Sequence, residues 1–371
     1  MPSDTVFSPS FGNRPSQLVG REDDLSKLVE GLKSPVGSRD RAVVLLGQRG
    51  SGKTVLLWEL ADRARQQGFV VATPTTATEG MLDRIIEKVQ IDGERHVRKG
   101  HTSVTGASVG ALGFSVGLQF SRETLDTKSF YYKLRSLAIR LSQSGHGILL
   151  LVDELQANSA DMRQLVGAYQ ELVGERLDIA MVLAGLPSAV SGTLNDRVLT
   201  FLNRATKLQL EPLRIGDIDA FYARAFEDLG LGIVPALRKT AAEATKGSPY
   251  LLQLIGHYLV QYSSDGQIDE EHLDMALSSA RADFERDVCE TTLAALSSKD
   301  REFLQAMSDD EGESRISEVA ERMGVSVDYA QKYRRRLMDA GVIESSGWGL
   351  VRFAVPYLAD WLKDTHTLAS S

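Results

Sequence analysis

A single cysteine, Cys289, stands in 371 residues, so no internal disulfide can form, which fits a reducing cytoplasm. Its setting, "ADFERDVCETTLAAL", has the character of a helix core rather than of a reactive thiol. No apolar run approaches the ~20 residues that a membrane-spanning helix needs. The run "ILLLV" at 148–152 has core length. The beginning, "MPSDTVFSPSFGNRPSQ", lacks a basic stretch followed by an apolar one, so no secretion signal is expected. Positive charge is not in excess either. With 42 Lys and Arg against 50 Asp and Glu, the net charge of −8 argues against a protein coated in nucleic acid, while leaving room for a local basic face. There is no tandem repeat, and neither His96 nor His101 has metal-ligand spacing.

What is present, 43% hydrophobic and 25% charged residues, is the composition of a soluble globular protein with two or three domains. Residues 1–17, rich in Ser, Pro and Asn, read as a flexible tail or an extended arm. From 18 to 212, short apolar runs such as "RAVVLLG", "GILLLVDE" and "DIAMVLAGLP" alternate with helical patterns, which predicts an α/β fold: a parallel sheet covered by helices on both faces. From 213 to 290 the strand-like runs disappear and an all-helical piece is expected. Residues 291–371 change again, to three short helical patterns, two strand-like runs around a Gly-rich turn, and a short tail.

The segment "VVLLGQRGSGKTVLLWEL" carries the chemistry. Gly47, Gly52, Lys53 and Thr54 fit the P-loop spacing G-x-x-x-x-G-K-[ST], between a buried-type strand and an amphipathic helix. Glycines let the backbone of Gly47, Gln48, Arg49, Gly50, Ser51 and Gly52 turn its N–H groups toward a phosphate, and the helix N-terminus adds positive potential. Lys53 would neutralise the β- and γ-phosphates of ATP and the Thr54 hydroxyl would ligate Mg²⁺. "GILLLVDELQ" supplies the second half: Asp153 for the Mg²⁺ shell and Glu154 to polarise the attacking water.

"LVGREDDL" at 18–25, the P-loop, "VDELQ", "VLAGLP" and a C-terminal segment similar to a winged helix follow one another in the order seen in AAA+ ATPases. The sequence resembles origin-recognition-type initiators and related bacterial and transposition-associated ATPases over nearly its whole length. The resemblance implies an AAA+ base, a helical lid at 213–290 and a winged-helix domain. It also implies that Leu18, Val19, Gly20 and Arg21 lie over the adenine, and that an arginine from a neighbouring subunit completes the site, either Arg204 in "FLNRATKLQLEPL" or Arg197. Two departures stand out. Where the family places a polar sensor the chain reads Gly185-Leu186-Pro187, with Ser188 the nearest substitute. Where the lid often carries an arginine it reads Gly247-Ser248-Pro249, similar to signal-transduction NTPases, with Pro249 at the nucleotide. Slow, switch-like turnover is the expectation.

Within 94–123, Leu112, Phe114, Val116, Leu118 and Phe120 alternate with small or polar residues, which predicts one strand, paired with Ala107, Val109 and Ala111 through a turn near 110–113. Arg95, His96, Arg98, Lys99 and His101 precede this hairpin, which could touch DNA or a partner protein, or pack on its own domain. In the last domain Ser314 and Ser326 are expected to cap the second and third helices. Val327, Ala330, Tyr333 and Leu337 should face inward. Lys332, Arg335 and Arg336 should meet DNA phosphates, Gln331 or Tyr329 the base edges, and Gly347-Trp348-Gly349 should form the wing tip beside Arg352. The function expected is that of a cytoplasmic, Mg²⁺-dependent ATPase whose ATP state controls self-assembly and DNA engagement. The alternative is a signalling switch in which the winged helix is a packing module that does not bind DNA.

Overall fold

The computed structural model describes residues 6–9, 17–97, 114–116, 118–120, 128–156, 159–187 and 200–369. The first part of the chain runs through α1 (Glu22–Lys33), β1 (Ala42–Leu46), α2 (Lys53–Gln66), β2 (Val70–Thr76), α3 (Met81–Val97), β3 (Phe114–Val116), β4 (Gln119–Phe120), α4 (Phe130–Gln143), β5 (Ile148–Asp153), α5 (Ala160–Gly174), β6 (Ile179–Gly185) and β7 (Thr206–Gln209). Five of these strands form an all-parallel sheet in the order β2-β5-β6-β1-β7. Successive side chains of a strand point to opposite faces, so an uninterrupted apolar run feeds two cores at once. Val43, Leu45, Leu149 and Leu151 pack under Leu25, Leu28, Leu56 and Leu60 of α1 and α2. Val44, Ile148, Leu150 and Val152 face Ile85, Leu137 and Leu165 of α3, α4 and α5. This is the doubly covered α/β sheet that the alternation in the sequence predicts.

The helical piece comprises α6 (Ile215–Asp228), β8 (Gly232–Ile233), α7 (Pro235–Ala244), α8 (Pro249–Tyr262), β9 (Gln267–Ile268) and α9 (Glu270–Phe284). It is not all-helical. Turns at Gly230 (φ 69°) and Gly266 (φ 70°) bring β8 and β9 into a two-residue parallel pair. A π-helical turn at Glu285–Glu290 then leads without a break into α10 (Thr291–Ala294), and the expected boundary at 290 falls inside this helical run.

The C-terminal unit follows as α11 (Ser298–Ser308), β10 (Glu313–Arg315), α12 (Ile316–Arg322), α13 (Val327–Asp339), β11 (Ile343–Gly347), β12 (Leu350–Phe353) and α14 (Leu358–Ala369), with an antiparallel sheet in the order β10-β12-β11. It does not have a core of its own: Phe221, Tyr222, Leu252 and Phe284 of the helical piece belong to the same apolar cluster as Phe303, Val319, Leu337 and Val351. Cys289 is buried in that cluster, and desolvation pushes its thiol up to about 12, as suits an inert core residue. No helix among the described residues is long and apolar enough to cross a membrane.

Four expectations need correction. The N-terminal segment is not wholly a flexible tail: Phe7 is 5% exposed and lies 5.7–5.9 Å from the rings of Phe221, Tyr222 and Phe226. It sits against the bare α-carbon of Gly256, where any side chain would overlap its ring. The run 112–120 is not one strand. It folds back at Leu118, with Val116 paired to Gln119, because Leu118 is drawn into the core beneath α3, where Gln90 Nε2 donates to its carbonyl at 2.8 Å. Arg98, Lys99, His101, Ala107, Val109, Ala111 and Leu112 lie outside the described residues. Ser314 does not cap a helix; it is buried in β10 and donates to the Met307 carbonyl at 3.2 Å, whereas Ser326 caps α13 as expected. Val327, at the first position of α13, is 46% exposed, since the helix turns only Ala330, Tyr333 and Leu337 inward.

Truncating Phe7 to Ala should lower the unfolding free energy of the joined helical piece and C-terminal unit by about 3 kcal/mol, the usual order for a buried phenylalanine. Val327→Ala should change it by less than about 0.5 kcal/mol. Urea denaturation of the two variants against the parent measures both.

Candidate active site

β1 ends at Leu46 and α2 begins at Lys53; the loop between them turns through positive φ at Gly50 (72°) and Gly52 (88°). Such angles are open to glycine and strained for other residues. They also leave room for the lid: a β-carbon on Gly50 would come within 3.2 Å of Tyr250 Cβ, and one on Gly52 within 3.7 Å of Pro249. Lys53 curls back over the loop and donates to the carbonyls of Gly47 (2.9 Å) and Gln48 (2.7 Å). Burial pulls its ammonium down to about 8, against the opposing pull of Asp153 and Glu154.

The parallel register carries the end of β5 alongside this loop. Thr54 Oγ1 donates to Asp153 Oδ2 at 2.5 Å, and the other carboxylate oxygen of Asp153 accepts from the Glu154 N–H at 2.9 Å. Asp153 is buried while Glu154 is exposed with φ 52°, a left-handed conformation that costs energy in a non-glycine residue. The backbone thus turns sharply between two adjacent acids, leaving one inside and the other facing the opening.

These groups line one cavity of about 940 Å³, together with Arg49, Ser51, Leu18, Val19, Arg21 and Pro249. Arg21 is 6% exposed at its side chain, donates to the Ser51 carbonyl at 3.3 Å and pairs with Asp24 at 3.6 Å, so it ties the lead-in of α1 to the P-loop. Burial lowers its pKa. Gly185 and Leu186, at the end of β6, bring no polar side chain to the cavity. Three residues expected at the nucleotide do not line it. Gly47 offers its carbonyl to Lys53 and its N–H to the Gly185 carbonyl; Gly20 (φ 62°) packs on Leu213; and Gln48 turns its side chain onto Gly341, in the turn between α13 and β11 of the C-terminal unit. Arg204 is exposed on a 3-10 turn, Thr200–Arg204, and is not among the lining residues; Ser188 and Arg197 lie outside the described residues.

Residues 17–182 match the AAA ATPase domain family. This part of the chain is similar to AAA ATPase domains. Residues 286–362 match a second family, a domain of unknown function (DUF8462). No curated protein matches the chain. Among solved structures, a Walker-type ATPase of Pyrococcus abyssi is similar at 16% identity with a TM-score of 0.68, over 94% of this chain and 97% of that one. The ORC2 protein of Aeropyrum pernix, solved as ADPNP–ADP complexes, is similar at 14% identity with a TM-score of 0.62, over 98% of each chain. At these identities the likeness is one of fold, and it extends through the AAA ATPase domain to the C-terminal unit.

Sequence reasoning missed part of the lining: Ser8 and Pro9 from the N-terminal segment, Tyr250 and Gln253 from α8, and Asp287 from the π-helical turn, which accepts from Tyr250 Oη at 2.7 Å. The one signal was Phe7, an aromatic in a polar stretch.

A phosphate-binding role for Lys53 requires its charged form, and bound phosphates would raise its pKa above the value of about 8 it has here. Nucleoside triphosphate affinity should therefore stay level up to that pH and fall as pH rises through it, by at most about tenfold per unit. Calorimetric titration at pH 9 should show proton uptake on binding.

Proposed function

We propose that the chain binds and hydrolyses ATP at the P-loop, slowly, and that its nucleotide state controls self-assembly and DNA engagement in the cytoplasm. The observation that carries the enzymatic part is the convergence of Lys53, Thr54, Asp153 and Glu154 on one cavity. Lys53 would hold the β- and γ-phosphates, and Arg49, Gly50, Ser51 and Gly52 would offer backbone N–H groups. The touching hydroxyl and carboxylate of Thr54 and Asp153 suit a hard divalent cation. Mg²⁺ there would neutralise developing phosphate charge. No cluster of three acidic, His or Cys ligands exists among the described residues, in keeping with an ion held partly by phosphate and water. Glu154 would take the proton of the attacking water. The apolar end of β6 and the arginine-free start of α8 favour slow turnover. Arg204 is proposed to complete the site of a neighbouring copy.

We divide the chain into a base (18–212), a lid (213–290) and a winged-helix unit (291–371). Lys332 and Arg335 are exposed on α13, neither has an ion-pair partner among the described residues, and fully exposed Trp348 stands at the turn between β11 and β12. These are the features that favour DNA as partner, with Gln331 alongside. Arg336 is different. It donates to Asp300 Oδ2 at 2.7 Å, and Asp300 is fully buried, so this half-exposed guanidinium already neutralises a core carboxylate. A second reading, the signalling switch, draws on the contact of Gln48 with Gly341 and on the shared core: the C-terminal unit would then serve as an intramolecular clamp.

Glu154→Gln keeps the shape of the site but cannot accept a proton, so it should retain ATP affinity while losing at least about a hundredfold in turnover. Phosphate release and a binding titration on the same preparation separate the two. For DNA, replacing Lys332 and Arg335 by Ala should lower the slope of log affinity against log salt by about two units. An unchanged slope and affinity would transfer the C-terminal unit to the packing role.

A further inference from the structure

The N-terminal segment fixes one side chain at the cavity of the P-loop. Ser8 and Pro9 line the cavity, as do Leu18, Val19 and Leu252, which offer apolar surface suited to a planar base. Gln253, on α8 one turn beyond Pro249, lines it too and is 9% exposed. The Ser8 backbone N–H reaches Gln253 Oε1 at 2.8 Å. A backbone N–H can only donate, so the oxygen of the carboxamide must face Ser8 and the NH₂ must be the other end. That NH₂ has no hydrogen-bond partner among the described residues. Phe7, wedged among Phe221, Tyr222 and Phe226, holds Ser8 in place.

We propose that Gln253, oriented by the Ser8 N–H, selects adenine over guanine by presenting a hydrogen-bond donor to the ring edge of the base. The N1 of adenine is an acceptor and pairs with this donor; the N1–H of guanine is a donor and opposes it. A buried polar group left facing its own kind costs more than a lost contact in water, which is why one side chain can discriminate. The N-terminal segment is then a working part of the base-binding end, and Gln253 a specificity residue. This rests on the reading of the cavity as a nucleotide site.

Two variants of the full chain test it, by equilibrium binding of ATP and GTP. Gln253→Glu keeps an oxygen for the Ser8 N–H and converts the other end from donor to acceptor. Ser8→Pro removes the N–H and lets the carboxamide turn over, with no change on the lid. The ratio of GTP to ATP dissociation constants should fall about tenfold in the first and about threefold in the second. If Gln253→Glu fails to fold, Ser8→Pro decides alone. A ratio within about twofold of the parent's in every folded variant overturns the proposal. Lys53→Ala distinguishes the two levels: it should weaken both nucleotides alike. A parent that binds neither would overturn the nucleotide reading itself.

Discussion

The structure hangs on the bareness of Gly50 and Gly52. A P-loop must turn its N–H groups inward, which requires left-handed backbone, and here the same two residues also accept the face of the lid: Tyr250 lies against one and Pro249 against the other. A side chain at either position would strain the backbone, and at Gly50 it would also crowd the lid. The sheet register adds the end of β5 from the opposite side, so that Asp153 meets Thr54 at hydrogen-bond distance. Two separate pieces of chain, the start of α8 and the end of β5, thereby close on one loop, and the first depends on the two glycines having no side chain.

The lid and the C-terminal unit are continuous in packing and in backbone. The helical run from α9 through the π-helical turn to α10 crosses from one to the other, Tyr357 Oη donates to the Ala244 carbonyl at 2.5 Å, and one apolar cluster serves both. The π-helical turn is also where Asp287 reaches the cavity and Tyr250. Such turns often sit at functional positions, because the extra residue re-aims side chains on one face of an otherwise regular helix.

Much of this was legible in the sequence, for a physical reason. Parallel strands buried on both faces read as short unbroken apolar runs, and "AVVLL", "ILLLVD" and "IAMVLAG" are all strands of the main sheet. The P-loop residues were legible because their chemistry demands a fixed spacing. What was not legible depends on contacts between distant positions. Phe7 looks like an aromatic in a polar tail until α6 and α8 converge to receive it. Period two in 112–120 is shared by a single strand and by a hairpin, and only the docking of Leu118 beneath α3 separates them. Ser314 has the residue type of a helix cap but sits where a third strand is needed. Arg336 looks like its neighbours Lys332 and Arg335 until the buried carboxylate of Asp300, 36 residues earlier, claims it.

The contact between Gln48 and Gly341 links the two ends of the molecule in a way that can be put as work. Gln48 belongs to the loop proposed to hold phosphate, and Gly341 follows the helix that carries Lys332 and Arg335. Any rearrangement of that loop on filling would push on the foot of that helix, and any load applied to the helix would push back on the loop. Reciprocity of this kind is a thermodynamic requirement and not a design option. Whatever grips the far surface of the C-terminal unit and shifts that helix would therefore alter, by an equal free energy, how tightly the loop holds its phosphate.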